Sequence, residues 1–366
     1  MNKASSRPEK RHLPNTPTLK RAITTIDATH HGSGRNQAPA NTTVTVPKVK
    51  HGKARRILLP EASQQSAVTV SMRGDLQFIH LGSKPCRLPH FSMPAKDGEQ
   101  RKVEDAASLG DTIVMVFKNV GHEVSLVTLG EKAKMTDLRS RGHGNGIRTV
   151  APMHSNGSIR FLTGGYDHAV KLWDIVENNG FYDSTIKLVM QNNAPVNSLA
   201  WRATAQEIVA AAGAKVYQKD INRRPDVTPV TMSNNVFQIH VHPQNANVVC
   251  LEVDHLDKQI QLYDVRVGGF NRRPASEFGY RDQSVSLARR SHYRRGATRH
   301  SYFSRGYHDG CTALWDFRRP NSIVVKFMAK REQAVWHTAF ANFQTTKLLS
   351  FGENHVSIYD LSRCND

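Results

Sequence analysis

Short runs in which apolar and polar residues alternate recur along most of the chain: AVTVSM from Ala67, TIVMVF from Thr112, EVSLVTL from Glu123 and NSIVVKF from Asn321. A period of two places successive side chains on opposite faces, the pattern of a half-buried strand, and Gly, Asn and Asp between the runs supply turns. No stretch holds the apolar period of an amphipathic helix over several turns. The expectation is an all-β chain, and at this length an internal repeat is the first thing to test.

The stretch FLTGGYDHAVKLWDI (161–175) supplies the ruler: an Asp-led turn at Asp167 and His168 precedes an alternating strand that ends in Trp173-Asp174. The same pattern ends at Tyr263-Asp264 in DKQIQLYDV, at Trp315-Asp316 in DGCTALWDF and at Tyr359-Asp360 in ENHVSIYDL. Weaker copies place Tyr217, Val127 and His80 in the aromatic slot. The seven slots at 80, 127, 173, 217, 263, 315 and 359 are separated by 47, 46, 44, 46, 52 and 44 residues. A period of about 45 residues with about four strands per unit predicts the blades of a propeller.

The unit around Trp173 resembles the WD repeat, and the chain from about 41 to 366 resembles a seven-bladed WD-repeat β-propeller. Gly142-His143 stands in the place of the family's Gly-His dipeptide, thirty residues before Trp173, with Thr163 and Asp167 between them. In the family these residues form a hydrogen-bonded relay, so the resemblance implies that His143, Thr163, Asp167 and Trp173 brace a blade and do not catalyse. Other blades depart from the pattern. Asp257 and Asp309 keep the turn aspartate, but Val253 and Arg305 sit where a hydroxyl is expected, and six or eight blades stay open as alternatives. The resemblance also implies ring closure by an N-terminal strand, for which NTTVTVPKV (41–49) has the right alternation, ahead of RRILLP as the innermost strand of blade one. Residues 1–40, rich in Pro, Ser, Asn, Thr and basic pairs, read as a disordered basic tail.

Charge changes this picture. The net charge of +19 is concentrated in two places: residues 1–56 carry +10, and residues 266–305, with ten Arg and no Lys, carry +8. The pairs Lys10-Arg11 and Lys20-Arg21, and KVKHGKARR (48–56), read as nuclear-import signals, nucleic-acid contacts or plain solubilising charge. GGFNRRPAS is expected to join the third and fourth strands of blade five, and RRSHYRRGATR the first and second strands of blade six. Those connections would open on one face. Arg272, Arg273, Arg289, Arg290, Arg294, Arg295 and Arg299 would then form one basic patch around Tyr293, suited to phosphate or to an acidic protein.

A second candidate is an Arg two residues after the blade-ending Asp in consecutive blades, Asp264 with Arg266 and Asp316 with Arg318. This is similar to the double W-D-x-R pattern of substrate receptors of cullin-RING ubiquitin ligases, and implies that Arg266 and Arg318 face an adaptor protein. Local pairing of each Arg with its own Asp is the alternative. MTDLR (135–139) has a similar string but falls on an outer strand.

Enzyme signatures are missing: there is no G-x-S-x-G, P-loop or H-E-x-x-H. His240 and His242 alternate as a metal pair would, without an apparent third ligand, and Cys86, Cys250, Cys311 and Cys364 have no zinc-site spacing and read as reduced thiols. No apolar run approaches a membrane span and no secretory signal is apparent. The expected function is a non-enzymatic scaffold for protein–protein interactions, without cofactors, in the nucleus or alternatively the cytoplasm. The alternatives are a substrate receptor of a cullin-RING ligase and a chromatin- or RNA-associated factor that binds nucleic acid through the arginine-rich face.

Overall fold

The structure, a computed structural model, describes residues 41–361 apart from 46–53, 61–64, 83–84, 94–100, 119–122, 131–132, 154–157, 224–227, 282–295, 300, 329–333, 343–345 and 353–354. The expected tail and Arg289, Arg290, Tyr293, Arg294 and Arg295 lie outside the described residues, as do Lys48, Lys50 and Lys53 of the later basic run.

After β1 (Asn41–Thr45), blade one is β2 (Ala54–Leu58), β3 (Ser66–Ser71), β4 (Leu76–His80) and β5 (Cys86–Phe91). Blade two is β6 (Val103–Leu109), β7 (Thr112–Phe117), β8 (Val124–Thr128) and β9 (Lys134–Asp137). Blade three is β10 (Ile147–Met153), β11 (Ile159–Gly165), β12 (Ala169–Asn178) and β13 (Phe181–Gln191). Blade four is β14 (Val196–Arg202), β15 (Glu207–Ala212), β16 (Lys215–Asp220) and β17 (Val230–Thr231). Blade five is β18 (Val236–Val241), β19 (Val248–Val253), β20 (Ile260–Asp264) and β21 (Ser276–Phe278). Blade six is β22 (Ala297–Arg299), β23 (Tyr302–Gly306), β24 (Cys311–Asp316) and β25 (Ile323–Met328). Blade seven joins β26 (His337–Asn342), β27 (Thr346–Phe351) and β28 (His355–Asp360) to β1, which pairs antiparallel with β28 from Asn41 opposite Tyr359 to Thr45 opposite His355.

The molecule is an all-β propeller of seven four-stranded blades. All seven aromatic slots fall on the third strand of a blade, which is why they share one period. Neighbouring strands within a blade are antiparallel. The first-to-second and third-to-fourth connections therefore open at one end of the ring. The second-to-third turns and the links between blades open at the other.

Seven apolar clusters each fill one seam between neighbouring blades. Trp173, Tyr217, Tyr263, Trp315, Tyr359 and Val127 are buried in these seams, while His80 is half-buried. Burying a large apolar side chain contributes roughly 1.5–3 kcal/mol, so the slot is where selection for a packed seam writes the repeat most visibly. A polar belt lies inside the apolar seams. The first strands of five blades carry a register shift, which delivers Arg56, Asp105, Thr149, Ser198 and Gln238 into buried positions. Arg56 Nε donates to Asp105 Oδ1 at 2.5 Å; Asp105 Oδ2 accepts from the Thr149 hydroxyl at 3.1 Å and the Val150 N–H at 3.2 Å. Farther round, the Ser198 hydroxyl donates to Gln238 at 3.4 Å and that of Ser304 to Thr338 at 2.9 Å. Buried and satisfied, these links tie blade to blade.

Candidate functional site

In blade three the sequence places Gly142-His143 just ahead of β10, Thr163 on β11, Asp167 in the following turn and Trp173 on β12. The fold brings all four side-chain groups together. His143 Nδ1 lies 2.8 Å from Asp167 Oδ1 and Nε2 lies 2.7 Å from Thr163 Oγ1, which is also 2.8 Å from Trp173 Nε1. A neutral imidazole satisfies every partner: Nδ1–H donates to Asp167, Nε2 accepts the Thr163 hydroxyl, and the Thr163 oxygen accepts the Trp173 N–H. Burial, stronger here than the pull of Asp167, pushes the His143 imidazole below its usual range. Burial opposes ionisation of Asp167 as well, but the His143 hydrogen bond and the N–H groups of Ala169 and Gly144 hold its carboxyl below the carboxylate range.

Gly142 is required by the same packing, since a Cβ there would lie 2.3 Å from the Trp173 ring. Blade two completes the joint. Glu123 accepts the N–H groups of Gly142 and His143 at 2.6 and 2.8 Å, although burial still pushes its carboxyl up. With His143 and Thr163 buried and each group committed to a neighbour, the arrangement braces two blades and leaves no open position for a substrate.

Where blade six departs from the pattern, the structure supplies a different brace. Arg305 occupies the hydroxyl position on β23 and reaches across the seam to Glu252 on β19, at 2.8 Å. The other carboxylate oxygen lies 2.7 Å from His240 Nε2 and accepts the Gly296 N–H at 2.7 Å. Burial alone would raise the Glu252 carboxyl, but Arg305, His240 and the Gly296 N–H together hold it at about 2. His240 is thereby committed to Glu252. Buried His242 accepts the backbone N–H groups of Gln244 and Asn245, so the two histidines do not form a pair. Among the described residues no group of three His, Cys, Asp or Glu is placed to hold a metal ion, and no helix is long and apolar enough to cross a membrane. Cys250 and Cys311 are buried, and burial pushes the Cys250 thiol well up, away from reactivity.

Arg266 and Arg318 take matching positions after β20 and β24. Arg266 donates from Nε and Nη2 to Asp264 at 2.9 and 2.6 Å, and Arg318 donates to Asp316 at 3.0 and 2.5 Å. Each Asp-x-Arg unit closes on itself. Both arginines are still 38–40% exposed in their side chains. In MTDLR, Asp137 ends the outer strand β9 and is held bidentately by Arg101, with both contacts at 2.6 Å.

The strand order corrects the connection expected of one arginine-rich segment. RRSHYRRGATR does not join the first and second strands of blade six, because Ala297–Arg299 is itself the first strand, β22. The segment before it links blade five to blade six. Near its start Arg281 lies 3.6 Å from Asp257 and the Tyr280 hydroxyl donates to Asp309 at 2.8 Å; at its end Gly296 donates to Glu252. Asp257 and Asp309 belong to second-to-third turns, at the opposite end of the ring from Arg272 and Arg273. Arg299 sits on β22, where burial holds its guanidinium below the usual arginine range. The basic run at 48–56 needs a similar correction. Arg55 and Arg56 are buried, with Arg55 donating to the Val103 carbonyl at 2.8 Å and Arg56 paired to Asp105, so neither is available to an import receptor or a phosphate.

One exposed feature has no charge signal in the sequence. β12 and β13 pair through ten register positions and form the longest hairpin in the ring. Phe181 at its tip is 74% exposed and Val176 is 51% exposed. Asn178 is opposite Phe181 and Val176 opposite Asp183, so the two apolar side chains share one face of the ribbon. Its sequence signal is the Asn178-Asn179-Gly180 turn in VENNGFYD, set between Val176 and Phe181.

Seven radially arranged four-stranded sheets, closed by strands from both ends of the described chain, define a seven-bladed β-propeller. Residues 135–174 match the family model of the WD domain, G-beta repeat. The fold is thus a β-propeller, and one of its seven units carries the WD repeat. The matched stretch runs from β9 of blade two to the end of the slot on β12 of blade three, so the sequence repeat is offset from the blade by one strand. That offset is what leaves the last blade to be completed by β1. Comparison with curated proteins finds no match. Propellers of this family generally mediate protein–protein interaction and are typically non-enzymatic.

Proposed function

We propose that this propeller is a non-enzymatic scaffold that assembles protein partners, and that the outer hairpin of blade three is one of its docking elements. The observation that carries the reading is the exposure of Val176 and Phe181 on one face of a ribbon whose β13 edge is eleven residues long. Large aromatic side chains are what anchor interfaces, and a long outer strand offers backbone groups for pairing. By contrast, the eye-catching His, Asp and Glu groups are spent on bracing. The test is affinity purification with mass spectrometry on the intact chain and on a Val176→Asp/Phe181→Asp variant. The expected result is loss of a defined subset of partners at unchanged melting temperature; an unchanged partner set removes the hairpin from the reading.

A second reading, the receptor of a cullin-RING ligase, is favoured by the matched geometry of Arg266 and Arg318 in adjacent blades. Because each arginine already shares its charge with an aspartate, an adaptor would meet two oriented, nearly neutral donor units. Co-purification of the adaptor, abolished by Arg266→Ala/Arg318→Ala, supports this reading, and retention in the double variant removes it. A nuclear site of action follows from Lys10-Arg11 and Lys20-Arg21 as import signals; a fluorescent fusion that stays nuclear without residues 1–38 would contradict it.

A further inference from the structure

A basic unit recurs where the third strand hands over to the fourth in three consecutive blades. Blade four reads Ile221-Asn222-Arg223, with Arg224 and Pro225 next in sequence but outside the described residues, blade five Phe270-Asn271-Arg272-Arg273-Pro274 and blade six Phe317-Arg318-Arg319-Pro320. Each unit begins with an apolar plug. Ile221 packs against the seam between blades three and four, and Phe270 is buried in the seam between blades four and five, edge-on to Tyr263 at 5.1 Å. Phe317 is buried with Phe278 and Phe303 in the seam between blades five and six. A buried plug fixes where the next side chains leave the surface, and in blades five and six Pro274 and Pro320 stiffen the exit.

The units also share an electrostatic arrangement. Arg223 lies 3.2 Å from Asp220 and is 79% exposed, while Arg318 is clamped by Asp316. Arg272, Arg273 and Arg319 are exposed, with no carboxylate partner among the described residues. The Arg272 side chain lies against Gly268, whose φ of 84° and missing Cβ let it pass. All three connections open at the same end of the ring, and blade three, next in line, has Glu177 and Asp183 in the corresponding hairpin instead of arginines.

We propose that the third-to-fourth connections of blades five and six, together with Arg223 of blade four, form a binding arc for the phosphodiester backbone of nucleic acid, independent of base sequence. Forked cations at Arg223, at Arg272 and Arg273, and at Arg319, in successive blades, suit a partner whose anion also repeats, and arginine takes phosphate oxygens two at a time. A protein partner would call for an aromatic or aliphatic anchor. The one large exposed apolar side chain in these connections, among the described residues, is Val267. No exposed aromatic is offered for stacking there, so the arc holds the backbone without reading bases. This inference does not depend on the scaffold reading, which uses another blade and another readout.

The experiment is fluorescence anisotropy of the full chain with a labelled 20-nucleotide RNA and a 20-base-pair DNA duplex, from 50 to 200 mM salt. Arg272→Glu/Arg273→Glu is compared with Arg139→Glu/Arg141→Glu, an equal charge change at exposed arginines in the link between blades two and three. The expected result is a loss of affinity of roughly tenfold or more for the first variant, with the slope of log K against log salt reduced by about 1.4 on single strands and 1.8 on duplex. The second variant should lose less than about threefold, and Arg319→Glu should weaken binding independently of it. Absence of binding at 50 mM salt, or equal losses in the two double variants, overturns the proposal. So does competition by polyglutamate of matched charge as effective as that by RNA, which would point to an acidic protein instead.

Discussion

Replacing Thr163 by Val removes one hydroxyl from the relay of blade three and changes almost nothing in shape. The side chain is fully buried, and its oxygen lies 2.7 Å from His143 Nε2 and 2.8 Å from Trp173 Nε1. The substitution leaves a buried indole N–H without an acceptor and a buried imidazole nitrogen without a donor. Each such orphan costs about 1–3 kcal/mol, so the change is expected to destabilise the fold by roughly 2–5 kcal/mol, a large share of ordinary domain stability. Urea unfolding followed by tryptophan fluorescence and by far-ultraviolet circular dichroism reads this as a shift in midpoint at constant slope, provided the two transitions coincide. Trp173→Phe breaks the same bond from the other end. In the Thr163→Val/Trp173→Phe double variant the orphaned N–H is gone, so the combined loss should fall short of the sum by about 1 kcal/mol or more. A loss below about 0.5 kcal/mol for Thr163→Val, or strict additivity in the cycle, refutes the claim that the relay braces the blade.

The Glu252 carboxyl, held at about 2 in the folded chain against an ordinary 4.5, binds a proton less readily folded than unfolded. Its contribution, on the order of 3 kcal/mol, is therefore complete above pH 4.5 and is lost as pH falls towards 2. Glu252→Gln should be less stable at neutral pH and show a flatter acid-unfolding profile over that window; a profile parallel to that of the parent chain rules the explanation out. Deleting residues 1–45 removes the strand that pairs with β28 and should lower the melting temperature sharply, while deleting 1–38 should leave it in place. Similar melting of the two truncations would mean that β1 does not secure the ring.

The repeat was legible because in its clearest copies a turn aspartate, Asp167, Asp257 or Asp309, precedes a strand that must fill a seam, and both constraints act within one short window of sequence. The blade-three relay was legible for a related reason: its four members keep family spacing within 31 residues of chain, from His143 to Trp173. The polar belt was not, because Arg56, Asp105 and Thr149 meet only after neighbouring blades come together, and nothing local distinguishes them from exposed residues. Arg55 and Arg56 were misread as available charge on the same account. The first strand of blade six was misplaced because β22 is three residues long and has too little alternation to announce itself. Assigning that strand one position early turned a link between blades five and six into a connection within blade six. The seam-crossing pair of Arg305 and Glu252 shows the other side of this limit: a residue that looks like a broken motif in its own blade is a partner supplied to the next one.

The two ends of the ring carry opposite kinds of chemistry, and the physics of satisfaction explains why. At the end where the second-to-third turns lie, Asp167 is held by His143, Glu123 caps Gly142 and His143, and Asp309 takes the Tyr280 hydroxyl. A network of this kind stabilises the ring only while its buried groups remain paired, so a partner that competed for one of them would pull on the fold itself. At the other end, Arg272, Arg273 and Arg319 stand on plugged, stiffened connections and leave their donors to solvent. Exchanging that water for an anion costs the ring nothing. Binding at the arginine end can therefore be altered by substitution at little cost to folding, whereas almost any change in the blade-three relay should register first as lost stability and only then as lost function.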